Sequence, residues 1–112
     1  MSVHNRKLII AIDFDDTITE PSPFPITGRV RPEAIKVIKK LQEKYICCLW
    51  TCRAGDYLTQ AINILASHGI TFDYVNCSPK STGSPKIVAD YYIDDRAFGS
   101  AINWREIEHF FL

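Results

Sequence analysis

Three carboxylates and a hydroxyl crowd into Asp13-Phe14-Asp15-Asp16-Thr17, directly after the apolar run Leu8-Ile9-Ile10-Ala11-Ile12. Like charges at the end of a buried strand oppose folding through repulsion and desolvation. A bound cation resolves that conflict. In an extended strand end Asp13 and Asp15 point the same way, because side chains alternate with period two. One of them can bind a metal and attack an electrophile, while its neighbour gives and takes a proton. A carboxylate attacking phosphorus forms an aspartyl-phosphate, and a metal and a lysine offset the charge on the phosphoryl oxygens.

Two further clusters have the same character. Trp50-Thr51-Cys52-Arg53 follows one apolar run and Ile93-Asp94-Asp95-Arg96 another, with Lys86 shortly before the latter. If the strands that carry them are neighbours, carboxylates, a hydroxyl and two guanidiniums meet in one crevice. Hard oxygen donors without histidine or thiolate favour Mg²⁺ over zinc.

The elements that must position these groups alternate between strand and helix. Residues 7–13 are predicted as a first strand, and residues 18–31, with Pro21, Pro23, Pro25 and Gly28, as a loop. Pro32 opens a helix to about residue 43, with Ala34, Val37, Ile38 and Leu41 on its apolar face. Tyr45–Thr51 reads as a second strand. A second helix over 55–67 carries Leu58, Ala61, Ile62 and Leu65 on one face, with Gly69 past its end. Ile70–Val75 is a third strand, 76–84 a polar loop, Pro85–Ala89 a helical turn and Tyr91–Asp94 a fourth strand. Trp104, Ile107 and Phe111 mark the packing face of a last helix. This alternation implies an α/β fold, a single Rossmann-like three-layer α/β/α domain over residues 1–112 with a central parallel sheet. Ligands of such sheets bind beyond the carboxyl ends of the strands, where strand order reverses.

The chain has 112 residues, enough for one core and one domain. Its formal net charge is +0, from 13 basic and 13 acidic side chains, which gives no electrostatic case for general attraction to nucleic acid or membranes. No apolar stretch approaches the ~20 residues of a transmembrane helix. The start, Met-Ser-Val-His-Asn-Arg-Lys, lacks the apolar core of a signal peptide. Cys47, Cys48, Cys52 and Cys77 show no zinc-type pair spacing. Reduced thiols in a cytoplasmic protein are therefore expected. His4, His68 and His109 lie away from every strand end and read as surface residues, whereas Trp50 and Trp104 read as core or half-buried.

The motifs resemble those of the haloacid dehalogenase-like phosphatase superfamily. Its first motif, Asp-x-Asp-x-Thr, is similar to Asp13-Phe14-Asp15-Asp16-Thr17. Its second, a hydrophobic strand ending in Thr or Ser, is similar to Cys48-Leu49-Trp50-Thr51. Its fourth, an acidic pair after a hydrophobic strand, is similar to Tyr91-Tyr92-Ile93-Asp94-Asp95. The third is an upstream lysine, a place that Lys86 fits and for which Lys80 is the alternative. The resemblance implies Asp13 as nucleophile and metal ligand, and Asp15 as general acid/base lending its carbonyl to the metal. It implies that Thr51 bonds the phosphoryl group and that Lys86 stabilises nucleophile and phosphoryl. Asp94 completes the Mg²⁺ site, with Asp95 a direct or water-mediated ligand. The intervals 18–31 and 76–85 are too short for a cap domain, so the resemblance implies a capless member with loop 18–31 as a flap.

The expected function is thus a Mg²⁺-dependent phosphohydrolase acting on a small phosphorylated substrate. Two alternatives stand beside it: a phosphate- or nucleotide-binding module without turnover, and a nucleic-acid end phosphatase. Arg53 and Arg96 have two roles open to them, gripping substrate phosphate in bidentate fashion or balancing the acidic cluster. Asp16 and Thr17 are expected to shape the turn.

Overall fold

The run Leu8–Ile12 offers no polar side chain to water, so a strand built from it must be covered on both faces. In the computed structural model, which describes residues 7–80, 87–96 and 101–112, it forms β1 (Ile9–Ile12), and all of its residues are buried. Then follow α1 (Pro32–Lys44), β2 (Ile46–Leu49), α2 (Gly55–Ser67), β3 (Tyr74–Val75), β4 (Tyr91–Ile93) and α3 (Trp104–Phe111). The strands form one parallel sheet in the order β3-β2-β1-β4. The chain is therefore the Rossmann-like α/β domain expected. Strand order reverses at β1, which places the switch point between β1 and β4. Ile12 pairs with Leu49 on one side and Ile93 on the other. Asp13, Trp50 and Asp94 consequently leave the sheet abreast.

Period-two alternation sorts the core into two clusters. Ile10, Ile12, Cys47, Leu49 and Ile93 pack with Val37, Ile38 and Leu41 of α1, Ala61 and Leu65 of α2 and Trp104 of α3. Ile9, Ala11 and Cys48 face the other way and meet Ile87, with Trp50 and Tyr74 packed alongside. Among the described residues, all three helices thus cover one face, so the second helical layer of the expected α/β/α arrangement is not found among them. The chain leading into β4 covers the other. Residues 81–86, including Lys86 and the start of the expected turn at 85–89, lie outside the described residues. Burial pushes the Cys47 thiol up to about 12 and that of Cys48 up to about 11, and all four cysteines are free.

All four strands are shorter than expected, and for β2 and β3 the reasons are identifiable. Ile70 donates its N–H to the Leu65 carbonyl at 3.0 Å, closing the C-terminus of α2 over Gly69, whose φ is +81°. The Thr71 carbonyl accepts from Gln42 Nε2. The backbone of 70–73 is thus partly committed to helices, and β3 keeps only Tyr74 and Val75. β2 begins after Tyr45, whose N–H belongs to the last turn of α1, and ends before Thr51, whose N–H goes to the Asn76 side chain. His68 and His109 are exposed. Among the described residues no helix is long and apolar enough to cross a membrane.

Candidate metal centre at the strand ends

Beyond Ile12 the chain leaves the sheet through a tight turn. The Phe14 carbonyl accepts from the N–H groups of Thr17, Ile18 and Thr19 at 3.3, 2.9 and 3.2 Å. Phe14 itself is buried, which turns Asp13 and Asp15 outward. Asp16 takes a φ of +63°, a left-handed geometry that aspartate tolerates. Its N–H donates to Thr19 Oγ1, and its Oδ1 accepts from the Ser22 N–H. Asp16 therefore shapes the turn, as expected, and also anchors the loop that follows. That loop is closed at its neck by an antiparallel bridge between Thr19 and Val30 and by the Glu20 N–H on the Arg29 carbonyl. The peptide Phe24–Pro25 is cis. Ser22, Pro23 and Phe24 of the loop tip line a cavity of about 740 Å³ together with Asp13, Asp15, Asp16, Trp50, Thr51, Cys52, Asp94, Asp95 and Arg96.

Three carboxylates meet inside it. Asp13, Asp94 and Asp95 each offer an oxygen within 4.8 Å of the other two. Burial, above all, pushes the Asp13 carboxyl up to about 7, with the hydrogen-bonded Asp95 and the charges of Asp94 and Asp95 acting in the same direction. The Phe14 N–H, donating to Asp13 Oδ1 at 2.8 Å, acts against them. Such a half-buried set of hard oxygens is an acidic centre able to hold a metal ion.

Thr17 does more than shape a turn. Its fully buried hydroxyl lies 3.3 Å from Asp13 Oδ2 and 3.2 Å from Asp95 Oδ1, and it accepts from the Asp95 N–H at 3.2 Å. It ties the two acidic strand ends together. Its carbonyl accepts from Trp104 Nε1 at 3.0 Å, so α3 holds the turn from behind.

Thr51 stands across from Asp13 at the end of β2. Its N–H donates to Asn76 Oδ1 at 2.8 Å, and its Oγ1 accepts from the Arg53 N–H at 3.1 Å. The hydroxyl proton remains to donate into the cavity. Asn76, which the sequence reading passed over, sits at φ +54° just after β3. An asparagine directly beyond a strand end was the signal for it.

Of the two roles open to Arg53, the structure shows charge balance rather than a grip on substrate. The side chain is 2% exposed and does not line the cavity. Nε and Nη2 bind the Asp15 carboxylate at 2.8 and 2.7 Å, Nη2 also reaches Thr27, and Nη1 bonds the Tyr57 carbonyl and Gln60. These bonds use all five donors of a guanidinium. The guanidinium also lies 5.1 Å from the Phe14 ring centroid and 5.4 Å from that of Phe24. Arg96, by contrast, is largely exposed at the rim, 4.0 Å from Asp95. Lys80 is exposed and away from the cavity lining.

Fold and centre together define a parallel α/β domain with an acidic, metal-competent site at its strand switch point. No family model and no curated protein matches the chain. A solved structure of a conserved protein from Bacteroides thetaiotaomicron is similar to it with a TM-score of 0.83 and 36% sequence identity, over 93% of this chain and 88% of that one. The chain belongs to the same family as that Bacteroides protein.

Proposed function

We propose that the protein is a Mg²⁺-dependent phosphohydrolase of the haloacid dehalogenase-like type, acting through an aspartyl-phosphate on Asp13. The observation that carries this reading is the convergence of Asp13, Asp94 and Asp95 within 4.8 Å, in a cavity that Asp15 and Thr51 also line. The donor set fits a hard divalent cation, and the upward push on Asp13 is the conflict that such a cation relieves. When bound between Asp13, Asp94 and Asp95, Mg²⁺ would draw charge from the phosphoryl oxygens.

In this reading an Asp13 oxygen attacks phosphorus, and the ester P–O bond breaks as Asp15 protonates the leaving oxygen. Asp15 then takes a proton from water, the water attacks phosphorus, and inorganic phosphate leaves with Asp13 restored. Each Asp15 oxygen accepts from Arg53 but keeps a second lone pair. Proton exchange with substrate therefore does not require the clamp to open. The Thr51 hydroxyl donates to the phosphoryl group, and Lys86 supplies positive charge. The test is Mg²⁺-dependent phosphate release from an aryl phosphate, with Asp13→Asn as control. Turnover by folded Asp13→Asn at the wild-type rate rejects the mechanism. Phosphate binding without release would leave a binding module.

A further inference from the structure

We infer that the ester taken by this site carries a planar ring close to its phosphate, with a mononucleotide as the fitting size; this rests on the phosphohydrolase reading above. Two of the side chains lining the cavity are aromatic, Phe24 from the loop tip and Trp50 from the end of β2. Phe24 is 58% exposed. A single exposed ring is ordinary on a protein surface, but these two are held in place. Tyr57 meets Phe24 edge-on, with centroids 5.3 Å apart at 66°, and Tyr92 meets Trp50 in the same way at 5.2 Å and 63°. One face of Phe24 rests on the Arg53 guanidinium at 5.4 Å, yet more than half of the residue stays open to solvent.

The rings also stand on different sides of the sheet. Trp50 packs with the cluster of Ile9, Ala11 and Cys48. Phe24 rests on Arg53, which lies against Phe14 of the helix-covered core. The acidic centre lies between them at the end of β1. A polar floor between apolar walls suits a ligand with one charged end and one flat end. Stacking accepts any base, because every base has a π-face. The cavity of about 740 Å³ is within the range of small-ligand sites. Five of its lining residues are aspartates and one, Arg96, is cationic, so the described lining offers no basic track for a polynucleotide backbone.

The test compares kcat/KM of the full chain with Mg²⁺ on 5′-nucleoside monophosphates and on ribose 5-phosphate, which share the phosphorylated ribose and carry at C1 a base and a hydroxyl respectively. Preference for the nucleotides by about tenfold or more is expected from stacking. In Phe24→Leu and Trp50→Leu the ratio should fall toward one. Equal rates on both esters overturn the ring proposal and leave the phosphohydrolase reading standing. Turnover of neither ester, while the aryl phosphate is hydrolysed, overturns the ring proposal alone; loss of the aryl phosphate activity as well overturns both. A 5′-phosphorylated oligonucleotide preferred over mononucleotides by more than about tenfold, the reverse of what the acidic lining implies, overturns the proposal in favour of nucleic-acid ends.

Discussion

Arg53 holds both carboxylate oxygens of Asp15, at 2.7 and 2.8 Å, from a position almost sealed from solvent. Removing one partner of such a pair strands the other. Asp15→Asn should therefore destabilise the fold by about 2–4 kcal/mol, because a buried guanidinium loses its counter-charge. Arg53→Lys should also destabilise it, since an ammonium cannot reproduce the fork or reach Thr27, Tyr57 and Gln60 together. Chemical denaturation of the two variants checks this. Wild-type stability in Asp15→Asn would contradict the pairing.

Asp13 behaves in the opposite sense. Its pKa is raised to about 7, so between the ordinary carboxylate range near 4 and about 7 the folded state binds more protons than the unfolded one. Asp13 thus withdraws stability as pH rises through that window. In chelator, Asp13→Asn should gain on the wild type in melting temperature from pH 4 to 7, and Mg²⁺ should erase the gain at neutral pH. A difference that does not change with pH, measured by scanning calorimetry, would contradict it.

Thr17 joins Asp13 to Asp95 through one buried hydroxyl. Thr17→Val leaves these carboxylates and the Asp95 N–H without that partner and should cost about 1–3 kcal/mol. It should also weaken Mg²⁺ binding several-fold by calorimetric titration, whereas Thr17→Ser should retain most of both.

Gly28 lies where the neck of the loop is tightest. A Cβ there would stand 2.0 Å from the Glu20 carbonyl oxygen and 3.3 Å from Ser22 Cβ. Gly28→Ala must spread the neck, at about 1–3 kcal/mol. It should loosen the anchor between Ser22 and Asp16. Faster proteolysis within 20–28 and a raised KM with little change in kcat are expected.

The gathering of Asp13, Thr51 and Asp94 at one end of the sheet was legible because each closely follows an apolar run, and parallel strands bring such ends to one side. The short β3 was not. Ile70 and Phe72 are as apolar as strand residues, yet they serve the core beneath α1 and α2. Arg53 could be placed near the site but not given a role there, since its partners Asp15 and Thr27 lie 38 and 26 residues away. Thr17 looked like a turn residue because its tie to Asp95 spans 78 residues, a distance that no local pattern reports.

The reach of Trp104 Nε1 to the Thr17 carbonyl has a consequence for biosynthesis. Domains tend to form from the N-terminus as the chain emerges from the ribosome. Here the turn after β1 receives its support from α3, and Asp13 meets Asp94 and Asp95 only when β4 has joined the sheet. A nascent chain can lay down β1, α1 and β2 without bringing the like charges together. The repulsive centre closes only after β4 has been made, and any divalent-ion affinity of Asp13, Asp94 and Asp95 should appear no earlier than that step.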